Sequence, residues 1–459
     1  MRRRPLLALA TLAAALTTAA VADAQGIPKI LVEKYTLGNG LEVILHQDHS
    51  VPLVAVQMFY KVGSGDEQKG RTGFAHLFEH VMFMGSENVP VGAFDQWLEA
   101  AGGNNNGTTN SDRTTYYEVL PSNALPLALW LEADRMGRLL PTMDQAKLDV
   151  QRDVVKNERR QSYDNRPYGR ANETILAALY PPGHPYSWPT IGSMTDLSAA
   201  SLEDVKSFFR TYYAPNNSSL AIAGDFNRDS VRTWVQRYFG EIPRGPEVPP
   251  RPTPPRVALQ RDTALVLEDR VQLPRAYYSW LTVPLYHKDD AALDLLAQIL
   301  AGDKNARLYK SLVYESQVAQ DVSAWQMSPR LDGVFRVEVT PRPGQDPSKV
   351  MRMVDEEIAK IIRDGVTPRE LARAQNSFRM RFLDDLASVF GKVMQVSSYN
   401  YYAGTPDYVQ EDAARYDRVT ADDIRRVAST YLGAPKVILT VVPEGKKELM
   451  VKADRKVVP

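Results

Sequence analysis

The sequence contains no cysteine among its 459 residues. No disulfide can therefore stabilise the fold, and no zinc site can be built from thiolates, so any metal site must use histidine and carboxylate ligands. Lipidation of an amino-terminal cysteine is excluded for the same reason. A chain of this length is instead long enough to bury a sizeable core and to form two domains.

An excess of charge of one sign is also missing, since 55 lysines and arginines balance 55 aspartates and glutamates. The chain therefore has no overall field that would attract nucleic acid or an anionic membrane. The sequence also lacks a glycine-rich phosphate-binding loop of the usual form. Neither a nucleic acid nor a nucleotide is an expected partner.

Long apolar runs are missing beyond the amino-terminal segment, so no membrane-spanning helix is predicted. That segment has the pattern of a secretory signal, with basic Arg2–Arg4, a mostly apolar Leu6–Ala20 and a small-x-small site at Ala22–Ala24. We predict a signal peptide over residues 1–24 and cleavage before Gln25. An exported chain without cysteine predicts a periplasmic location for the mature protein.

A proline-rich segment divides the rest of the chain. Seven of the thirteen residues in 243–255 are proline, a composition that favours an extended and semi-rigid linker. We therefore predict an N-terminal domain over residues 25–242, a linker over residues 243–256 and a C-terminal domain over residues 257–459.

A weak internal repeat indicates that the two domains share one fold. A helix beginning at Leu202 leads to a strand over Leu220–Ala223, and a helix beginning at Ala421 leads to a strand over Val437–Val442. The two copies lie roughly one domain length apart. The predicted fold class is therefore α+β, with two domains that each have a sheet packed on helices.

Three local patterns surround the most informative part of the sequence. Asn39-Gly40 between two alternating segments predicts a hairpin turn. Phe74–Met84 predicts an apolar helix. Gly102–Gly107 predicts a turn-rich stretch, which would lead into one strand over Thr108–Leu120.

The segment His76–His80 carries the clearest chemistry. Two histidines four residues apart on a helix project from one face, so both imidazoles can reach one metal ion. Glu79 precedes the second histidine and lies close enough to the metal to move a proton. The order His-x-x-Glu-His is the reverse of the commoner zinc-peptidase signature, and this reversed form is known among zinc peptidases. The motif therefore indicates a zinc hydrolase of peptides.

A catalytic zinc site needs a third protein ligand and one open position. A carboxylate from another helix is the natural choice, and Glu158, on a charge-rich helix downstream, is a candidate. Asp153 and Glu132 compete with it on spacing alone. Two imidazoles and one carboxylate suit zinc best among the divalent ions, so we expect one Zn2+ per chain.

Several further segments share a pattern with one peptidase family. These segments are Phe74–His80, Gly102–Asn106 with Thr109, Arg152–Glu158, His184–Tyr186 and Tyr213–Asn217. They resemble landmarks of the pitrilysin-type zinc peptidases (inverzincins), which include the mitochondrial processing peptidase. The resemblance covers nearly all of the mature chain.

The resemblance implies a fold, an activity and a set of residue roles. The fold would be two homologous α/β-sandwich domains, each a mostly antiparallel sheet packed on helices, as in the mitochondrial processing peptidase. His76, His80 and Glu158 would bind zinc, and Glu79 would act as the base in the hydrolysis of peptide bonds.

The resemblance also implies where substrates bind. Peptides would lie extended along an exposed strand edge near Asn106 and Thr109, held by main-chain hydrogen bonds. Family members often carry a further glutamate seven residues before the third ligand, where this chain has Gln151. Gln151 is therefore expected to lie next to the ligands without binding the metal, and to adjust the properties of the site.

One departure from the family pattern concerns how the active site is completed. Active members carry an Arg-x6-Tyr pair in the opposite half of the enzyme, and the matching positions here are Val313 and Gln320. The expected assembly is a heterodimer, in which a zinc-free sister chain supplies the Arg and Tyr. A homodimer that uses other donors, for example Arg307 and Tyr309, is the alternative. A non-catalytic structural or peptide-binding subunit is the alternative function.

Overall fold

The computed structural model describes residues 26–251 and 253–453. The predicted signal peptide, residues 1–24, lies outside the described residues. Within the described ranges, none of the helices combines the length and the apolar composition that crossing a bilayer requires. The chain forms two sheets, and each sheet is covered by helices.

The first half of the chain forms a six-stranded sheet. Its strands are β1 (Glu33–Thr36), β2 (Glu42–Gln47), β3 (Leu53–Tyr60), β4 (Asn104–Thr109), β5 (Thr114–Pro121) and β6 (Ser218–Gly224). Their order in the sheet is β1-β2-β6-β3-β5-β4. Neighbouring strands are antiparallel except β2 and β6, which are parallel.

The second half forms a five-stranded sheet. Its strands are β7 (Thr263–Asp269), β8 (Arg275–Thr282), β9 (Ala319–Met327), β10 (Gly333–Pro341) and β11 (Val437–Pro443). Their order is β7-β11-β8-β10-β9, and only β7 and β11 are parallel. This order repeats β2-β6-β3-β5-β4 strand for strand. The predicted α+β fold with two mostly antiparallel sheets of the same type is therefore confirmed.

Helices surround both sheets. Those of the first half are α1 (Phe74–Val81), α2 (Ala93–Ala100), α3 (Leu125–Arg138), α4 (Gln145–Arg159), α5 (Ala171–Leu179), α6 (Met194–Ala199), α7 (Leu202–Tyr212) and α8 (Arg228–Phe239). Those of the second half are α9 (Asp290–Ala301), α10 (Pro347–Asp364), α11 (Pro368–Asp385), α12 (Val389–Tyr402), α13 (Val409–Asp417) and α14 (Ala421–Val427). The π-helical turns are Arg160–Asp164, Tyr309–Glu315 and Ala428–Leu432, and the 3₁₀ turns are Ser64–Asp66, Ser122–Ala124, Leu140–Thr142, Pro215–Asn217 and Lys447–Leu449.

The two faces of the first sheet are buried by different parts of the chain. Side chains alternate along a strand, so Val54 and Val56 of β3 pack on the helices of their own half, whereas Ala55 points to the opposite face. On that opposite face lies α12, a helix of the second half, which contributes Val393 and Val396. One face of the first sheet is therefore covered by the second half of the chain.

The second sheet receives a helix from the first half in return. Ile175 and Leu179 of α5 pack in one cluster with Leu439 and Val441 of β11. Each half thus covers one face of the sheet of the other half. This reciprocal packing joins the two halves through apolar surface rather than through a single linker.

The local predictions had different outcomes. The hairpin at Asn39-Gly40 is confirmed, since β1 and β2 pair around it and Gly40 has the φ of 97° that such a turn requires. The single strand over Thr108–Leu120 is wrong. The chain forms two strands there, and β4 already begins at Asn104 within the predicted turn-rich stretch. The side chain of Asn110 makes the turn between them by accepting two backbone N–H groups.

The proline-rich segment lies between the two sheets. Helix α8 ends at Phe239 and strand β7 begins at Thr263, so the predicted linker over residues 243–256 connects one structural unit to the next. The domain limits at 242 and 257 stay predictions.

Candidate metal centre

Helix α1 carries both histidines of the motif, and a buried carboxylate holds its amino-terminal end. Glu67 accepts hydrogen bonds from the N–H groups of Gly73 (3.0 Å) and Ala75 (2.8 Å), which are left without helical partners at a helix start. The indole of Trp188 donates a third hydrogen bond to this carboxylate (3.1 Å). Burial raises the pKa of Glu67 to about 8. The orientation of the metal helix thus depends on Glu67, a residue that the sequence patterns did not single out.

Helix α4 presents Glu158 to the two histidines. The helix begins at Gln145, and the side chain of the preceding Asp144 caps it by accepting the N–H of Lys147. At its other end Arg159, which is buried, donates to the carbonyl of Gly192 (2.7 Å). The residue next to Glu158 is therefore anchored, which limits the movement of the backbone that carries Glu158.

The three candidate ligands converge on one point. His76 Nε2 lies 3.6 Å from Glu158 Oε2, and His80 Nε2 lies 3.3 Å from the same oxygen. One ligand atom from each of the three residues lies within 4.8 Å of the others. Tetrahedral zinc with bonds of about 2.0–2.2 Å separates its ligand atoms by about 3.3–3.6 Å. The donor set and its spacing therefore fit a zinc ion.

The electrostatics of two of the candidate ligands, His76 and Glu158, suit metal binding. Burial lowers the pKa of the His76 imidazole, which favours the neutral form that binds metals. The contact with His80 lowers the pKa of Glu158, which favours the carboxylate. The pKa shifts of His76 and Glu158 therefore both favour the protonation state that binds a metal.

The two competing carboxylates lie elsewhere. Glu132 is fully buried and binds the guanidinium of Arg135 (2.8 Å), so it is already paired. Asp153 is on α4 but exposed. Within the described part of the chain, His76, His80 and Glu158 form the one cluster able to hold a metal ion. The geometry thus selects Glu158 among the three alternatives.

Glu79 lies beside this cluster and is bound to the neighbouring strand. Its carboxylate accepts a hydrogen bond of 2.6 Å from the hydroxyl of Thr109, at the end of β4. Burial raises the pKa of Glu79 above its ordinary value. Glu79 does not belong to the converging ligand group, so its carboxylate remains available to exchange a proton.

Strand β4 lies at the edge of the first sheet. Among the described strands it pairs with β5 alone, so its outer side has no strand partner. Asn106 is exposed on this strand, and its own side chain accepts the N–H of Gly107 (2.8 Å). Thr109 directs its hydroxyl to Glu79, a contact that sequence reasoning did not predict. The edge thus runs directly past the candidate base.

No hydrogen bond joins Gln151 to the metal group in the described residues. It lies two turns before Glu158 on α4, and its amide donates to the sulfur of Met84 (2.7 Å). The expected tuning of the site by Gln151 therefore has no direct hydrogen bond to support it.

The residues considered as donors for a homodimer are engaged inside the second half. Arg307 donates two hydrogen bonds to Glu370 (2.6 and 2.9 Å). Tyr309 packs against the second core. At the positions of the Arg-x6-Tyr pair, Val313 packs against the same core and Gln320 is exposed. Arg307 thus has a structural role in this chain.

The turn that follows β4 connects the strand edge to the second half. Asp112 is 1% exposed and accepts hydrogen bonds from the hydroxyl of Tyr186 (2.7 Å) and the N–H of Arg330 (2.9 Å). Its carbonyl accepts from Arg251 (2.9 Å) and from Tyr401 of α12 (3.1 Å). The position of β4 therefore depends on contacts made by the second half of the chain.

We expect Asp112→Ala to lower the free energy of unfolding by about 2–4 kcal/mol, because the buried hydroxyl of Tyr186 and the part-buried N–H of Arg330 lose this acceptor. Urea denaturation measures this loss. Ser111→Ala is the matched control in the same turn, since no hydrogen bond of the Ser111 side chain is seen in the described residues. An Asp112→Ala variant as stable as Ser111→Ala would show that the hydrogen bonds of the Asp112 side chain do not stabilise the protein.

We expect Gly107→Ala to displace Glu79, because a Cβ at this position would lie 2.9 Å from Glu79 Cγ and 3.2 Å from the ring of Tyr116. Any peptidase activity should fall by about tenfold to hundredfold, which is the usual cost of misplacing a catalytic group. Steady-state kinetics on a fluorogenic peptide measure the change. Gly38→Ala is the control, since no atom lies within 4 Å of the Cβ it would add. Equal rates for both variants would contradict the expected displacement.

Comparison with protein families gives two matches along the chain. The family described as insulinase (peptidase family M16) matches residues 42–185, and the one described as peptidase M16 inactive domain matches residues 199–378. The candidate base and the three candidate ligands all lie within the first match.

Individual relatives are similar over most of the chain. The zinc protease PqqE of Helicobacter pylori is 29% identical over 406 residues, which cover 87% of this chain and 90% of that protein. An uncharacterized zinc protease of Mycobacterium tuberculosis is 28% identical over 90% of this chain and 93% of its own length.

Solved structures show the same architecture. A protease from Helicobacter pylori superposes with a TM-score of 0.84 at 26% identity, covering 91% of this chain and 100% of its own. A peptidase M16 inactive domain structure from Pseudomonas fluorescens superposes with a TM-score of 0.80 at 20% identity, covering 90% of this chain and 98% of its own. The second likeness shows the fold alone.

Proposed function

The chain belongs to the M16 (insulinase, pitrilysin) family of peptidases, and on that premise we propose that it is a zinc-dependent endopeptidase that hydrolyses peptides or unfolded polypeptides. One observation carries the proposal. Ligand atoms of His76, His80 and Glu158 converge within 4.8 Å, beside a carboxylate that is not part of the group. That arrangement provides both a metal site and a base.

The proposed roles follow from the positions of the side chains. A zinc ion held by His76, His80 and Glu158 would lower the pKa of a water molecule and polarise the substrate carbonyl. Glu79 would take the proton from that water and pass it to the leaving amine. Thr109 orients the Glu79 carboxylate through its hydrogen bond of 2.6 Å.

The edge of β4 offers a binding mode for the substrate. An extended peptide would add to the free edge as a further strand, through hydrogen bonds to main-chain groups. Asn106 is exposed along this edge. Main-chain binding selects for an extended and unfolded segment more than for particular side chains, so sequence selectivity should be modest.

The proposal includes a partner and a location. Val313 and Gln320 stand at the positions of the family's Arg-x6-Tyr pair, so a zinc-free sister chain is proposed to supply that pair in a heterodimer. The ion pair of Arg307 with Glu370 weighs against the homodimer that would use Arg307 as a donor. The predicted signal peptide supports a periplasmic location.

A non-catalytic role is the second candidate, and the replaced Arg-x6-Tyr pair is the observation that favours it. The chain would then hold peptides in a larger assembly without cutting them. Zinc content alone does not separate the two functions, because a bound metal can be retained without turnover. Cleavage has to be measured directly.

The test combines metal analysis with a quenched fluorescent peptide library. We expect one zinc per chain, cleavage that stops when EDTA removes the metal, and recovery of cleavage when zinc is added back. The assay is run with the chain alone and with a candidate sister chain that carries the Arg and Tyr. A zinc-loaded chain that cleaves nothing in either state would contradict the peptidase and support the peptide-binding subunit.

A further inference from the structure

A cleft in the second half has an unusual local charge. It lies between the carboxyl-terminal end of α9, the loop that follows this helix and one face of α11, and its volume is about 1140 Å³. We call it the basic cleft. Its charged lining residues are four cations and one carboxylate, namely Lys310, Arg369, Arg373, Arg381 and Asp303. The whole chain has no net charge, so this excess is local.

The single carboxylate neutralises only part of this charge. Asp303 pairs with Arg373 at 3.2 Å, and Lys310 pairs with Glu315 at 3.5 Å. Arg381 donates to the neutral amide of Gln298. In the part of the chain that the structure describes, Arg369 forms no ion pair. The cleft therefore keeps a positive potential that can attract an anion.

The placement of these arginines is unfavourable for the helix that carries them. Arg369 is the second residue of α11, directly after Pro368, so a cation occupies the positive end of the helix dipole. Arg369 and Arg373 are also four residues apart on one face, where like charges repel. A bound anion would relieve both effects at once. Residues whose charge is unfavourable for their own helix are typical of functional sites.

Arg373 is only partly engaged by Asp303. Its Nε lies 3.2 Å from the Asp303 carboxylate, and its side chain is 28% exposed among the residues that line the cleft. The exposed part of the guanidinium can therefore donate to a carboxylate of a ligand, the acceptor that fits its planar geometry best.

We propose that the basic cleft binds acidic segments of polypeptides, whose carboxylates are held by Arg369, Arg373 and Arg381. The other lining residues suit a peptide. The amides of Asn305 and Asn376 can bond to its main chain, and Met380, which is 69% exposed, offers apolar contact. This proposal rests on the proposed function, since it names the class of polypeptide that the peptidase would favour.

The test is fluorescence anisotropy with the full chain and two labelled peptides, hexaglutamate and hexaglutamine. We expect hexaglutamate to bind, with an affinity that falls as salt rises, and hexaglutamine not to bind. Arg369→Gln and Arg381→Gln should each weaken hexaglutamate binding by about tenfold, a usual factor for a lost charge-assisted contact. Neither variant breaks an ion pair in the described structure, so both should fold.

Arg363→Gln is the matched control, because Arg363 is an exposed arginine at the end of α10, paired with Asp364. It should bind hexaglutamate as the unchanged protein does. Equal binding by Arg369→Gln, Arg381→Gln and Arg363→Gln would overturn the proposal. So would inorganic polyphosphate that displaces hexaglutamate at equal charge concentration, since the cleft would then select charge and not an acidic peptide.

Binding and cleavage are measured separately in these experiments. Failure of hexaglutamate to bind would overturn the basic cleft as a peptide site and would leave zinc-dependent cleavage of the peptide library unaffected. Failure of the library assay would contradict the peptidase, while salt-sensitive binding of hexaglutamate would still be observed.

Discussion

Glu79→Gln is expected to remove most of the peptide hydrolysis and to leave the zinc in place. Glutamine cannot accept a proton from water, and general acid–base catalysis usually contributes about 10²–10⁴-fold to the rate. The metal should stay because Glu79 is not one of the three converging ligand residues. The hydroxyl of Thr109 can donate to the new amide oxygen as it does to the carboxylate, which preserves the local structure.

The measurement is kcat on a fluorogenic peptide, beside the zinc content of the same preparation. Glu99→Gln provides the matched control, because Glu99 is an exposed glutamate on α2 of the same half. It should change neither quantity. If Glu79→Gln cleaves as fast as Glu99→Gln, another group must move the proton, and the assignment of Glu79 as base is wrong.

The central strands of the two sheets could be predicted because they are buried on both faces. Every residue of β6 is buried, and β11 is buried over all but its last residue. Such strands are nearly continuous apolar runs, a pattern that a sequence shows directly. The repeat over Leu220–Ala223 and Val437–Val442 identified these two strands, which occupy equivalent places in the two sheets.

Strand β4 could not be predicted in the same way. Its sequence of asparagine, glycine and threonine is typical of turns, and its strand conformation comes from pairing with β5. The exchange of α5 and α12 between the halves also has no local signal, since it depends on which apolar face each helix meets after folding. Long-range packing decided both features.

The histidine pair of the metal site is a local pattern, because a spacing of four residues places both rings on one side of a helix. The third ligand is not local. Spacing alone left Glu158, Asp153 and Glu132 as candidates for the third ligand. The structure excludes Glu132, which is buried and paired with Arg135, and Asp153, which is exposed on α4 outside the converging group. Glu67 was missed because two of its three partners are backbone N–H groups, and Asp112 was missed because its partners are distant in the sequence. No sequence pattern marks such contacts.

Glu158→Ala is expected to weaken zinc binding by more than about a hundredfold. Loss of a residue that merely supports a ligand costs about 10–100-fold in metal affinity, so the loss of a ligand itself should exceed that range. Two imidazoles on one helix would remain, which is fewer than the three protein ligands of a catalytic zinc site. Competition with a zinc-binding fluorescent dye measures the affinity, and any peptide cleavage should disappear with the metal.

Asp153→Ala makes this experiment decisive. Asp153 lies on α4 little more than one turn before Glu158 but is exposed, so its removal changes the charge of the helix by the same amount without touching the converging group. Its zinc affinity should equal that of the unchanged protein. If Asp153→Ala loses zinc and Glu158→Ala keeps it, the third ligand has been assigned to the wrong carboxylate. If both variants keep zinc, the metal is held by residues other than these, and the contacts of 3.3 and 3.6 Å between Glu158 and the histidines reflect a simple ion pair.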